Sequence, residues 1–172
     1  AIELSQKIQE ILDRSDEIKK IAEEAQYCKG FFFTGRNRNF PIALEGALKL
    51  KEIAYVHAEG YASGELKHGP IAMIDEEIVN IAYIENHLFE KTLSNIQEIK
   101  TRKGKIFTIG ETEKKEVKSI SDFSFKLEVS SLGELAPIAL NVVGQLFSYY
   151  VAKHKGTDID MPRNLAKSVT VE

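Results

Sequence analysis

Short apolar runs alternate with longer helix-forming segments along this sequence, and this alternation constrains the fold more than any other feature. The run at 30–36, Gly-Phe-Phe-Phe-Thr-Gly-Arg, is typical of a strand buried on both faces. Strands that alternate with helices favour right-handed crossovers and a mainly parallel sheet. The sequence therefore predicts a three-layer α/β/α domain. The predicted strands are 30–36, 77–84, 105–110 and 123–129, the last near a sheet edge, and the predicted helices are 1–25, 41–55, 87–103 and 134–155.

Composition limits the classes of protein to which the sequence can belong. Its 172 residues predict one domain with a real core, and a formal net charge of -3 does not favour nucleic acid or anionic membranes as partners. The lone Cys28 excludes an internal disulfide, and we find no apolar stretch of the roughly 18 residues that span a bilayer. The charged N-terminus is unlike a secretory signal, so the expected compartment is the cytoplasm. Because the sequence opens at Ala1 inside a helical pattern, we expect a piece of a longer protein.

The segment from Pro41 to Pro70 is unusually dense in ionisable residues. On a helix Glu45, Lys49 and Glu52, spaced i, i+4 and i+7, lie within about 60° of one another. The rest of this helix is apolar nearly all round, so we expect it to be buried. Charges on a buried helix need partners or a cleft, because desolvating them alone costs several kcal/mol. The pattern therefore indicates a candidate reaction centre.

Two interpretations of these charges stay open on spacing alone. Lys49 and Glu52 can form a helical ion pair that neutralises a buried stripe, or Glu52 can act as a base whose pKa is tuned by a neighbouring cation. A predicted loop follows, and it carries His68 between glycine and proline residues. The pattern is compatible with either a structural or a proton-transfer role for this histidine. The same loop contains further ionisable residues, namely His57, Glu59, Glu65 and Lys67.

The remaining candidates are weaker on local sequence. The predicted domain covers 1–157, and the tail 158–172 is more apolar than a disordered terminus usually is. Lys167 in this tail can be a solvated lysine or a nucleophile that forms a Schiff base. Residues 35–39 follow a strand and precede a helix, where an anion could sit, but they lack the glycine or Ser/Thr content of a phosphate loop. The four histidines form no HxxxH or HExxH pair, and no metal site is predicted.

Two stretches of the sequence carry a resemblance to a known family. They are GRNRNFPIALEGALKLKEIAYVHAEGYASGELKHGPIAMI and the terminal KGTDIDMPRNLAKSVTVE. The sequence resembles, over essentially its whole length, the C-terminal part of the glucosamine-6-phosphate synthases, which are glutamine–fructose-6-phosphate aminotransferases (isomerizing). Sugar isomerase (SIS) domains in general do not share the terminal stretch, so the resemblance is specific. It implies an SIS domain with a flavodoxin-like parallel sheet of about five strands.

The resemblance also implies roles for individual residues. Lys167 resembles the lysine that forms a Schiff base with open-chain fructose 6-phosphate, and Glu52 resembles the general base that moves a proton between C1 and C2. Lys49 resembles the lysine that supports this base. His68 resembles the histidine that opens the sugar ring and reaches across from the neighbouring subunit. Substrate contacts are implied for Glu52, Ala166 and Lys167.

The expected partners follow from the same resemblance. They are fructose 6-phosphate, glucosamine 6-phosphate and a second copy of the chain, with no metal or organic cofactor. The sequence departs from the family in lacking an N-terminal cysteine nucleophile for glutamine and the Ser/Thr-rich loop of the first SIS half, which holds the sugar phosphate. We therefore expect this chain to have negligible activity alone. The alternative is a non-catalytic SIS module that binds a sugar phosphate or mediates dimerisation.

Overall fold

A five-stranded parallel sheet forms the centre of the protein, of which the computed structural model describes residues 2–163. The spatial strand order is β2-β1-β3-β4-β5, which is the flavodoxin-like order. The predicted three-layer α/β/α architecture is confirmed. The strands are β1 (Gly30–Gly35), β2 (His57–Ala62), β3 (Ile78–Ile84), β4 (Lys105–Gly110) and β5 (Phe123–Lys126), and the helices are α1 (Ile2–Asp13), α2 (Ser15–Ala25), α3 (Phe40–Ala54), α4 (Phe89–Lys100), α5 (Lys115–Ile120) and α6 (Ala136–Lys155).

Two separate hydrophobic clusters cover the two faces of the sheet. Phe31 and Phe33 of β1 point into a cluster with α2, α3 and α6, whereas Phe32 between them points into a cluster with α4 and α5. This opposition is the period of two of an extended strand. On the first face, the Phe31 ring lies edge-on to Phe147 of α6, with 5.9 Å between the ring centroids. Because both faces are buried, the three central strands are apolar runs without alternation.

The strand β2 corrects one sequence expectation. Residues 57–62, His-Ala-Glu-Gly-Tyr-Ala, were predicted as a loop, but they form an edge strand that pairs in parallel with β1. The segment has few β-branched or aromatic residues and contains a glycine, so its pattern does not indicate a strand. Gly60 is required because a Cβ there would lie 2.7 Å from the Cα of Leu44 in α3. The edge strand and α3 therefore pack backbone to backbone.

The burial expected for α3 is also only half correct. Ala43, Ala47 and Leu50 are buried against the sheet, but Leu44 and Leu48 are 46% and 38% exposed. One face of the helix carries apolar side chains that the described residues cover only in part. The apolar residues are therefore not all explained by packing within the described part of one chain.

The stretch Ser130–Lys155, which contains α6, is long and apolar enough to cross a membrane by length and composition, with a mean hydropathy of 1.4. This corrects the expectation that no such stretch exists. Half of its apolar window is buried inside the domain, and Val143, Phe147 and Val151 pack in the cluster shared with α2 and α3. These contacts are those of a core helix in an α/β domain. Gly156, with φ of 70°, ends α6 at the residue predicted from sequence.

Candidate functional site

A row of three charges lies along α3, as the helical spacing predicts. The Lys49 ammonium is 3.5 Å from a Glu45 carboxylate oxygen and 3.3 Å from a Glu52 carboxylate oxygen. Glu52 is the most enclosed of the three, with 19% of its side chain exposed, compared with 36% for Lys49. The ion-pair interpretation is therefore correct in geometry, and it does not exclude a proton-transfer role for Glu52.

The protonation of Lys49 is set by this row. Partial burial opposes its charge, but the hydrogen bond to Glu52 and the field of Glu45 outweigh that effect and raise the pKa of Lys49. A raised lysine pKa means that the ammonium is present well beyond neutral pH, and the ion pair is lost only when the pH rises through the folded-state value. Lys49 thus supplies a constant positive charge beside the Glu52 carboxylate. Such a charge can stabilise negative charge that develops on a bound molecule.

His68 lies away from this row within one chain. It ends a 3₁₀ turn, Ser63–His68, whose Leu66 packs in the cluster on the α4 face of the sheet, whereas α3 packs on the opposite face. The side chain of His68 is exposed, and among residues 2–163 it forms no hydrogen bond or ion pair. Gly69 follows with φ of 144°, a conformation that favours glycine. The structure therefore does not bring His68 and Glu52 together within one chain.

The segment after α6 returns to the end of α3 that carries Glu52. The Thr157 hydroxyl donates a 2.7 Å hydrogen bond to the Ile53 carbonyl. Further along, the Arg163 backbone N–H donates to the Tyr55 hydroxyl at 2.9 Å, and its guanidinium lies 3.9 Å from the centre of that ring. The last described residue is thus attached beside the C-terminus of α3. The predicted residues Ala166 and Lys167 lie outside the described residues.

The other candidates on the predicted loop pair with their neighbours. His57 Nε2 lies 3.3 Å from a Glu59 carboxylate oxygen, and the Tyr61 hydroxyl donates to the same carboxylate, so the three form a ladder along the edge strand β2. Lys67 pairs with Glu98 of α4 at 2.8 Å. Among residues 2–163, no group of three or more His, Cys, Asp or Glu side chains could hold a metal ion. None of these pairs converges on the row in α3.

At the carboxyl ends of the strands, two buried carboxylates satisfy groups that could otherwise bind an anion. Glu85, directly after β3, pairs with Arg38, whose guanidinium also lies 3.3 Å from Glu134. Glu111, directly after β4, accepts hydrogen bonds from the backbone N–H of Asn86 at 2.5 Å and of Ser130 at 3.0 Å. Segment 35–39, whose sequence only weakly indicates an anion site, therefore has no free guanidinium at Arg38. The sequence signal for such a pairing is an acidic residue directly after a buried strand, as at Glu85 and Glu111.

Comparisons with known proteins agree with this architecture. The model of the family described as SIS domain matches residues 24–155. Curated relatives named glutamine–fructose-6-phosphate aminotransferase [isomerizing] are 47% identical over 167 residues in Bacteroides thetaiotaomicron and 50% identical over 167 residues in Methanosarcina acetivorans. Each alignment covers 96% of this chain but 27% of the relative. The chain therefore spans about a quarter of the length of these curated relatives.

Solved structures give the same result. The C-terminal domain of glucosamine-fructose-6-phosphate aminotransferase from Francisella tularensis superposes with a TM-score of 0.81 and 40% identity, covering 92% of this chain and 45% of that one. A tagatose-6-phosphate ketose/aldose isomerase from Escherichia coli has a TM-score of 0.76 at 19% identity, covering 91% of this chain and 44% of that one, and this shows likeness of fold alone. The family match, which covers most of the sequence, shows that the chain belongs to the SIS domain family.

Proposed function

We propose that this chain provides the second SIS half of the isomerase in a glutamine–fructose-6-phosphate aminotransferase (isomerizing). In this function fructose 6-phosphate and an amino group from glutamine give glucosamine 6-phosphate and glutamate. The observation that carries the proposal is the Glu52 carboxylate, which Lys49 holds near the C-terminal end of α3. The segment after α6 returns to this same end of the helix. The names of the relatives at 44–50% identity support the same reaction. The half-buried, unpaired Cys28 is compatible with a cytoplasmic setting.

The chemistry assigns a distinct task to each group. The Lys167 amine attacks the C2 carbonyl of the open-chain sugar and expels water, which gives an iminium at C2. Ammonia then attacks this carbon and displaces the Lys167 amine, which leaves the iminium of the sugar with ammonia. The iminium acidifies the C1 proton, and Glu52 removes this proton and returns it to C2. The Lys49 ammonium stabilises the electron-rich enolamine between these two steps. Lys167 follows Arg163 by four positions, and such a segment can span at most about 14 Å.

We propose Lys167→Ala in the complete polypeptide as the test of this function. The variant is expected to lose the adduct that borohydride traps with fructose 6-phosphate, and to lose isomerisation, because no other amine is assigned to the C2 carbonyl. Mass spectrometry of the trapped protein gives the readout. Lys155→Ala, which removes an exposed lysine from the last turn of α6, is the matched control and should retain the adduct. An unchanged adduct and unchanged turnover in Lys167→Ala would exclude the Schiff-base role.

The position of His68 leads us to propose a homodimer. Within one chain the turn that carries His68 packs on the sheet face opposite to α3, so we assign the ring-opening role of His68 to the site of a second copy. The helices α3 and α6 pack next to each other, and their outer sides carry partly exposed apolar residues that are available for such a contact. These residues are Leu44, Leu48 and Ile138. We propose that the tail 158–172 completes the site. The 172-residue chain alone is still expected to be nearly inactive, because the resemblance assigns the binding of the sugar phosphate to the other SIS half.

Self-association of the 172-residue chain is expected in sedimentation velocity experiments. Replacing Leu44 and Leu48 together by glutamine should weaken it at least tenfold, because each exposed leucine that becomes buried in an interface contributes about 1 kcal/mol or more. Leu12→Gln on α1, where the leucine is 44% exposed, is the matched control and should leave the association unchanged. A monomer at high protein concentration, or equal weakening in the control, would contradict this interface.

A further inference from the structure

The C-terminal end of α3 is held by two residues of the segment that follows α6. The Thr157 hydroxyl donates to the Ile53 carbonyl at 2.7 Å and so satisfies a carbonyl that the end of the helix leaves open. The Arg163 backbone N–H donates to the Tyr55 hydroxyl at 2.9 Å, and the Arg163 guanidinium lies 3.9 Å from the centre of the Tyr55 ring. We call the pair of Tyr55 and Arg163 the tail anchor, because it is the last described attachment before Lys167.

Tyr55 has a backbone conformation that a tyrosine rarely adopts. Its φ of 55° and ψ of 39° are left-handed, and this position directly after a helix is usually filled by glycine. The ring does not offset the strain by packing in the core, since Tyr55 belongs to neither hydrophobic cluster of residues 2–163. The described contacts of its side chain are those with Arg163. A strained residue with such contacts indicates a functional constraint on them.

The segment between the two attachments has contacts of its own with the domain. The Asp158 side chain accepts a hydrogen bond from the Met161 backbone N–H at 2.9 Å, which forms a local turn. Ile159 packs against the hydrophobic cluster that contains α3 and α6. Arg163 therefore ends a segment that lies along the domain from Thr157 onward, and the tail anchor fixes the far end of that segment.

The proposed reaction needs two groups that lie far apart in the sequence. Glu52 precedes Tyr55 by three positions, and Lys167 follows Arg163 by four. We propose that Tyr55 is a positioning residue for Lys167, which it keeps within reach of the Glu52 carboxylate by fixing Arg163. This inference rests on the Schiff-base role proposed above for Lys167. It assigns Tyr55 no contact with the substrate.

The length of the tether gives the expected size of the effect. With the tail anchor, Lys167 is tethered at Arg163. Without it, the nearest hydrogen bond to α3 is that of Thr157, ten positions before Lys167. Effective concentration falls roughly as the −3/2 power of tether length, so a change from four to ten positions lowers it about fourfold. Loss of the tail anchor is therefore expected to slow formation of the Schiff base by about this factor.

Amide hydrogen exchange in the 172-residue chain, followed by NMR, tests the tail anchor without the reaction. Tyr55→Phe keeps the ring but removes the oxygen that accepts the Arg163 N–H, so the Arg163 amide should exchange at least about threefold faster. Tyr27→Phe, which removes a hydroxyl from a tyrosine that is 84% exposed, is the matched control and should leave this exchange unchanged. Equal exchange in Tyr55→Phe and the unmodified chain would overturn the proposal.

The rate at which the borohydride-trapped adduct forms in the complete polypeptide tests the consequence. Tyr55→Gly removes both contacts with Arg163, and glycine adopts the left-handed backbone without strain. This variant should form the adduct about fourfold more slowly at saturating fructose 6-phosphate. Tyr55→Phe, which keeps the ring contact, should show a smaller decrease, and Tyr27→Phe should show none.

Thermal unfolding of the same variants separates positioning from a loss of structure. Slower adduct formation at an unchanged melting temperature supports positioning, whereas slowing that follows a loss of stability in both Tyr55 variants would overturn it. An adduct that forms at Lys167 equally fast in both Tyr55 variants would also overturn the inference, but it would leave the proposed function in place. Absence of the adduct from the unmodified polypeptide would contradict the Schiff-base role itself, and this inference with it.

Discussion

Replacing Glu52 by glutamine in the complete polypeptide is expected to lower kcat for the isomerisation by at least about a hundredfold, with a much smaller effect on KM. General acid–base catalysis contributes about 10²–10⁴-fold, and the amide cannot accept a proton. The amide oxygen can still accept the hydrogen bond that Lys49 now donates at 3.3 Å, so the row on α3 should keep its geometry. Steady-state kinetics with ammonia or glutamine as the nitrogen source gives the measurement.

A control variant separates catalysis from general electrostatics. Glu24→Gln makes the same change of charge at an exposed position on α2 and should leave kcat unchanged. Exchange of the substrate C1 proton with solvent is a second readout, which the glutamine variant should lose and a merely structural role would not affect. Wild-type kcat together with retained exchange in Glu52→Gln would show that another group moves the proton.

Gly144→Ala is expected to lower the free energy of unfolding by about 1–3 kcal/mol, the cost of overpacking a close-packed core. An added Cβ at this position on α6 would lie less than 3.0 Å from the hydroxyl oxygen of Tyr83 in β3. Tyr83 cannot move aside, because its ring is 1% exposed and its hydroxyl also faces Gly46 of α3, where a Cβ would lie 3.0 Å away. Urea unfolding followed by circular dichroism gives the measurement.

A second substitution, Tyr83→Phe, is expected to restore most of the stability that Gly144→Ala loses. The Tyr83 hydroxyl is buried and has no hydrogen-bond partner among residues 2–163, so Tyr83→Phe alone should be neutral or slightly stabilising. In the double variant the closest side-chain atom to the new Cβ is the ring carbon at 3.6 Å, an ordinary contact, and most of the stability should return. Gln145→Ala, exposed on the same helix, is the control. Equal stability of Gly144→Ala and the control would show that α6 moves away from Tyr83 without cost.

Local patterns predict the parts of this fold that depend on local physics. The strands β1, β3 and β4 were predicted because both of their faces are buried, which requires continuous apolar runs. The edge strand β2 was not predicted, because its residues have a low propensity for strands. Pairing with β1 and the close contact of Gly60 with α3 hold this segment in the sheet. The helix α5, Lys115–Ile120, was also missed, because six residues are too short for a clear helical period.

The candidate site also combines features that the local sequence predicts with features that depend on residues far apart in the sequence. The row of Glu45, Lys49 and Glu52 follows from helical spacing, and the structure places both carboxylates within 3.5 Å of the Lys49 ammonium. The pairing of Arg38 with Glu85 joins residues 47 positions apart, and no local pattern encodes it. The placement of the His68 turn and of α3 on opposite faces of the sheet likewise depends on how the strands assemble.

The buried carboxylate of Glu111 has a consequence for how the domain responds to its surroundings. A free anion that binds only the folded state stabilises it by mass action, so its contribution rises and falls with the concentration of that anion. Glu111 satisfies the backbone N–H groups of Asn86 and Ser130 as a covalent part of the chain. Its contribution is therefore independent of metabolite supply. This corner of the sheet should hold its shape equally well in a starved cell and in one rich in phosphorylated sugars.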